Sequence, residues 1–159
     1  MKARKSDILK VYSALEQLSK GSYPVKFSYF IAKNKRVLKD EIELLKEFSM
    51  PNEKYKEYDT RRAELAKSLA DNDQAGNPII QNNSYIITKH KDRFNKKLEL
   101  LKKEYEDVIN EFDKKFRQYK ELLNEEIEFN GHAIKLDDLP ELVEPALIEL
   151  FMDTGLLKE

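Results

Sequence analysis

The chain has 159 residues, of which 40% are hydrophobic and 37% are charged, and its formal net charge is −1. It has no cysteine, which excludes disulfides, thiolate catalysis and cysteine-ligated zinc. Elongated helices have much surface for little core, so a high charged fraction with an adequate apolar fraction favours an extended, mainly α-helical fold over disorder.

The first residues and the longest apolar runs bear on where the protein works. Residues 1–5 are basic, but Lys10 and Glu16 interrupt the sequence before the apolar core of a signal peptide can form. No run approaches the ~20 apolar residues that span a bilayer. We therefore expect a cytoplasmic protein with no membrane partner.

Helices are predicted over the first 70 residues. Ser6 is a good N-cap for a helix that ends near Gly21, and Pro24 separates this helix from a longer one. Apolar residues at three- and four-residue steps continue to about Ala70. Pro51 either begins a new helix or kinks the second one.

A loop with β character is predicted next. Residues 71–78 have the composition of a turn, and Asp71–Gly76 resemble the opening of a calcium loop. Ala75 and Asn82 stand where such a loop needs an oxygen ligand and a bidentate glutamate, so we expect a plain loop. The following residues predict a small β-turn element at 79–88.

The clearest helix is expected from Thr88 to Leu123. Its apolar residues alternate at steps of four and three over about four heptads, which is typical of a coiled-coil seam. One helix cannot bury this stripe alone, so we expect residues 25–123 to form a long antiparallel helical hairpin. An intermolecular coiled coil, and hence a homodimer, is the main alternative. Asn34, inside the apolar stripe of the first arm, is expected to fix register.

The end of the chain is predicted to contain a β-hairpin at 127–136 and a C-terminal helix that starts near Pro145. Asn130-Gly131 is a strong signal for a type I′ turn, in which Phe129 faces His132. A lone hairpin is marginal in water, so we expect it to pack on the helices.

Charge is divided unevenly along the chain. Between Glu121 and Glu159 there are eleven acidic residues and two lysines, so this region carries −9 and residues 1–120 carry +8. We expect one domain over 1–159, in which 1–22 and 124–159 form the base of the 25–123 hairpin. The basic and acidic regions are expected to meet, within one chain or between two.

The segment 89–103 is the best candidate for a binding surface. It contains seven basic and two acidic residues, a net charge of +5. Such a segment can bind phosphate or an acidic protein surface, whereas the alternative is a solvated helix face. Tyr29 lies off the core phase of its helix and is either an interface anchor or the edge of the core. The candidate binding residues are Lys89, Lys91, Arg93, Lys96, Lys97 and Tyr29.

Catalytic and metal-binding motifs are absent from the sequence. His90 and His132 lack metal-site spacing, and the four scattered glycines form no phosphate loop. No Gly-x-Ser-x-Gly motif is present, and Glu125, Glu126 and Glu128 are interpreted as a solvated face. We expect no enzymatic activity, no cofactor and no metal.

Several short segments, in their order along the chain, resemble one protein family. They are residues 27–35 (FSYFIAKNK), the arm that continues from Leu38 to Ile42, the Gly76-Asn-Pro78 break, the late hairpin and the ending at 139–150. The family consists of small uncharacterised proteins from phages and prophages of low-GC Gram-positive bacteria. It has no assigned activity, so the resemblance implies a phage or prophage context in a bacterial host cell, with virion association left open.

These observations lead to two functional hypotheses. The first is a non-enzymatic protein-binding or structural protein, such as a phage accessory, assembly or host-takeover factor, whose hairpin contacts a protein partner or a second copy. The alternative is nucleic-acid binding through 89–103, which the acidic C-terminal region and the lack of a known reading motif oppose.

Overall fold

The computed structural model describes residues 1–158, and the predicted mainly α-helical fold is confirmed. The helices are α1 (Lys5–Leu18), α2 (Val25–Ser49), α3 (Glu53–Ser68), α4 (Lys91–Glu104), α5 (Glu106–Asn124) and α6 (Pro145–Asp153). The short strands are β1 (Lys2–Arg4), β2 (Ile80–Gln81), β3 (Ser84–Tyr85), β4 (Glu126–Glu128), β5 (Ile134–Lys135) and β6 (Leu157–Lys158).

The chain divides into two compact units. The first, which we call the terminal unit, comprises Met1–Ser49 and the segment from Phe116 onward, and the second, the middle unit, is Met50–Lys115. These bounds differ from the predicted division, because α2 and the end of α5 belong to the terminal unit and not to an extension.

The terminal unit has an apolar core to which α1, α2 and α6 contribute. Phe27 stacks on Phe30 at 5.6 Å between ring centroids, and Phe30 meets Phe151 edge-on at 5.3 Å. All three rings are fully buried, and each contributes roughly 1.5–3 kcal/mol relative to an exposed side chain. The same core includes Ile8, Val11, Leu15, Ile31, Leu38, Ile42, Phe129, Ile134, Leu156 and Leu157.

The strands predicted as a hairpin at 127–136 pair with other segments, so this prediction is wrong. β4 is antiparallel to β1, and β5 is parallel to β6. A type I′ turn needs positive φ at both central residues. Neither Asn130 nor Gly131 has it; in the described residues, positive φ occurs at Asn82, Asn83, Gly76 and Gly155.

Asn34 supplies the physical reason that no hairpin forms there. Its side-chain amide donates to the carbonyl oxygens of Phe30 and His132, both at 2.9 Å, and its side-chain oxygen accepts from the His132 N–H at 2.8 Å. Asn34 therefore bonds the His132 backbone as a neighbouring strand would. It fixes this segment against α2 and not the register of two helices.

The middle unit contains an antiparallel helical hairpin. The Tyr58 ring lies 5.6 Å from that of Tyr105, whereas Tyr55 stacks on Phe112 at 3.9 Å, so α3 runs opposite to α4 and the start of α5. Asn52 caps α3 by accepting from the Tyr55 N–H at 2.8 Å. Pro51 therefore precedes a new helix.

The helix predicted to run unbroken from Thr88 to Leu123 begins instead at Lys91 and is interrupted at Tyr105, so the prediction is wrong at these two places. The Tyr105 φ of −109° and ψ of 19° separate α4 from α5, although the N–H of this residue still donates to Leu101 at 3.2 Å. The Tyr105 hydroxyl donates to Glu57 at 2.8 Å and accepts from Arg61 at 3.0 Å. Polar groups of α3 thus hold the residue at which the helix is interrupted.

The small β element predicted at 79–88 is confirmed. β2 and β3 are antiparallel, with Ile80 opposite Tyr85. Asn82 and Asn83 have φ of 50° and 58°, the left-handed values that a type I′ turn requires and that asparagine tolerates.

Candidate protein-binding surface

Asp71 holds the chain just before the basic helix α4. Its carboxylate accepts from the N–H groups of Thr88 at 2.9 Å and Lys89 at 3.2 Å, and from the Thr88 hydroxyl. The Thr88 hydroxyl bond above all lowers the pKa of Asp71 below its ordinary value of 3.8, although burial opposes this shift. The backbone at the start of the basic segment is therefore fixed.

The helix α4 has a buried stripe and an exposed basic face. Leu101 is buried, and Phe94 and Leu98 are half-buried on the same side. At 3.6 residues per turn, a second face lies away from this stripe, and Leu100 stands at its centre with 66% of its surface exposed. We call this second face the α4 basic face; it consists of Arg93, Lys96, Lys97, Leu100 and Lys103, all exposed.

A groove lies beside the α4 basic face, between α3 and α4. It has a volume of about 290 Å³, and three leucines, Leu65, Leu100 and Leu101, form its apolar lining. The polar residues of its rim are Arg61, Lys97 and Glu104. We call it the leucine groove.

Lys97 gives the rim of the leucine groove its net charge. Arg61 donates to the Glu104 carboxylate and to the Tyr105 hydroxyl, and these bonds raise the pKa of Arg61 above its ordinary value. Arg61 and Glu104 therefore neutralise one another. In the part of the chain that the structure describes, Lys97 forms no ion pair, and the same holds for Lys89, Lys91, Arg93, Lys96 and Lys103.

The structure brings three of the six predicted binding residues together. Arg93, Lys96 and Lys97 share the α4 basic face, whereas Lys89 precedes the helix and Lys91 lies on its opposite side, nine residues or half a rotation from Leu100. Tyr29 belongs to the terminal unit. It is 55% exposed, and its ring meets the His132 ring edge-on at 5.2 Å.

Two apolar residues of this surface were missing from the sequence prediction. The first is Leu100. Because Leu98 and Leu101 fit the heptad seam, Leu100 falls on the charged face of the helix, and a leucine in that position was the signal that could have identified it. Leu65 faces it from α3 across the connecting loop. No pattern along the sequence relates these two residues.

Comparisons with protein-family models, with curated proteins and with solved structures found no match. Over residues 1–158 the structure has no helix that is long and apolar enough to cross a membrane. Within the same range, no three His, Asp or Glu side chains form a group that could hold a metal ion.

Proposed function

We propose that this chain is a non-enzymatic binding protein whose α4 basic face and leucine groove dock an acidic protein surface with an apolar anchor. The observation that carries the proposal is Leu100, which is 66% exposed among unpaired cations and continuous with the leucine groove. Single exposed leucines are ordinary on protein surfaces. Leu100 differs because Leu65 and Leu101 extend it into a concave apolar site.

The two parts of this surface have complementary tasks in recognition. A few side chains buried in central pockets supply most of the affinity of an interface, and surrounding charges steer the partner and select the sign of its charge. Arg93, Lys96 and Lys97 select for carboxylates, while the leucine groove accepts an apolar side chain. The proposal includes a cytoplasmic location and a role as a phage or prophage accessory, assembly or host-takeover factor. The absence of cysteine supports the location, and the family resemblance supports the role.

Nucleic-acid binding through residues 89–103 is the second candidate function. Within the described residues neither Lys96 nor Lys97 forms an ion pair, which favours nucleic-acid binding, because these cations can replace the counterions of phosphate groups. The position of Leu100 opposes it, since phosphate contacts need no apolar side chain at the centre of a basic face.

Exposed single substitutions test the proposed function. Proteins captured from bacterial lysate by the wild type should be lost with Leu100→Ser and with Lys97→Glu. The matched controls Ile80→Ser and Lys91→Glu should retain them, because Ile80 is similarly exposed but lies in β2 and Lys91 is on the opposite side of α4. Capture that survives Leu100→Ser would contradict the proposal.

A fluorescence-anisotropy titration with labelled DNA and RNA separates the two functions. Binding that weakens steeply with salt and with Lys96→Glu/Lys97→Glu, but is unchanged by Leu100→Ser, would support nucleic-acid binding in place of protein docking.

A further inference from the structure

Leu142 is the most exposed large apolar side chain in the described residues, at 96%. It belongs to the terminal unit and lies in a loop bounded by Pro140 and Pro145, whose rings fix φ. Leu139 and Val143 pack against the core on either side of it. The loop is therefore attached to the core at both sides of Leu142, and the leucine is presented outward on a constrained segment.

The charges beside Leu142 are opposite to those of the leucine groove. Glu141 and Glu144 flank it and are exposed, and they form no ion pair in the part of the chain that the structure describes. The rim of the leucine groove carries the unpaired Lys97, with Lys96 on the adjoining α4 basic face. An exposed leucine between two carboxylates thus has the chemistry that the groove selects.

We propose that Leu142 of one copy inserts into the leucine groove of a second copy, with Glu141 and Glu144 close to Lys96 and Lys97. This inference rests on the proposed function and names its partner as the same chain. The groove volume of about 290 Å³ accommodates a four-carbon side chain with part of its backbone. Insertion removes Leu142 and Leu100 from water together, which provides the driving force.

Each copy carries one Leu142 and one leucine groove, so the contact joins two different surfaces. Such a contact closes when two copies exchange it reciprocally about a twofold axis, and otherwise continues from copy to copy. One apolar anchor with a few charges makes a small interface, and small interfaces associate weakly. We therefore expect association in the micromolar-to-millimolar range that decreases as salt rises.

Sedimentation of the full chain at increasing concentration and at low and high salt tests the proposal. The wild type should associate at low salt, and Leu142→Asp should weaken the association by about tenfold or more, equivalent to 1.4 kcal/mol. The controls Leu44→Asp and Lys91→Glu should associate like the wild type, since Leu44 is exposed on α2 and Lys91 lies opposite the α4 basic face. A single mass at all concentrations, or equal association of Leu142→Asp and wild type, would overturn the proposal.

A charge exchange makes the test specific for this pair of surfaces. Lys96→Glu/Lys97→Glu and Glu141→Lys/Glu144→Lys should each lose self-association. Mixing the two variants should restore a hetero-association, because the acidic loop of the first then meets the basic groove side of the second, and the basic loop of the second meets the acidic groove side of the first. No recovery on mixing would contradict the pairing. If the wild type is monomeric but still captures a partner in a Leu100-dependent way, only the identity of the partner as a second copy is refuted. If association is lost with Leu142→Asp but not with Leu100→Ser, the leucine groove is refuted as the site that receives Leu142.

Discussion

The terminal and middle units are stabilised by different kinds of contact. Every fully buried side chain in the described residues belongs to the terminal unit, where phenylalanines and aliphatic residues pack together. The buried cluster of the middle unit consists of Tyr58, Leu101 and Tyr105, and polar bonds at Tyr105 and Asp71 accompany it. A region with few buried apolar contacts unfolds locally at a lower free-energy cost. The middle unit is therefore expected to unfold locally before the terminal unit does.

Truncation of a buried ring in each unit should give the largest effects and expose this difference. Phe151→Ala is expected to lower the free energy of unfolding by about 3–5 kcal/mol, since it removes a fully buried ring next to Phe30. Urea unfolding measures this loss. Tyr58→Ala should reduce amide protection chiefly in α3 and α4, as seen by hydrogen exchange. Equal loss of protection in both units with Tyr58→Ala would refute the independence of their stabilities.

The parts of the fold that were predicted correctly are determined by residues that lie close together in the sequence. The helical periodicity of α2 repeats within a turn, and the turn at Asn82-Asn83 needs only left-handed backbone that asparagine tolerates. The Asn130-Gly131 signal is equally local, yet β4 pairs with β1 from the other end of the chain. A local turn preference of this kind is outweighed when distant strands and Asn34 bond the same backbone.

Two features were harder to predict because they depend on contacts between residues that are distant in the sequence. They are the binding surface and the boundary between the two units. One boundary falls between Lys115 and Phe116, inside α5, so no change in composition or proline marks it. The cations of 89–103 were visible in the sequence, but their division between two sides of α4 follows from the position of α3. Leu65 and Leu100 become one groove only after the chain turns back on itself.

Loss of the Asn34 side chain is expected to cause the second largest decrease in the free energy of unfolding. This substitution tests how much one buried polar group stabilises the apolar terminal unit. Asn34→Leu leaves the N–H and C=O of His132 without their side-chain partner and should cost about 1–3 kcal/mol in urea unfolding. Asn124→Ala is the control, because its exposed amide makes one bond to Lys120 at 3.2 Å and should cost less than about 0.5 kcal/mol. Wild-type stability of Asn34→Leu would contradict a structural role for the buried amide.

The smallest and most local effect is expected at Asp71 in the middle unit. Asp71→Asn should speed hydrogen exchange at Thr88 and Lys89, because the N–H groups of these residues donate hydrogen bonds to the carboxylate. The control Asp40→Asn, in the terminal unit, should leave both exchange rates unchanged. Because folding lowers the pKa of Asp71, the stabilisation by its carboxylate is present above the ordinary value of 3.8 and is lost as the pH falls through the folded pKa. The difference between wild type and Asp71→Asn, measured by exchange and by urea midpoint, should therefore shrink in acid. A difference that persists well below pH 3.8 would mean that the shape of the side chain at position 71, and not its charge, stabilises the start of α4.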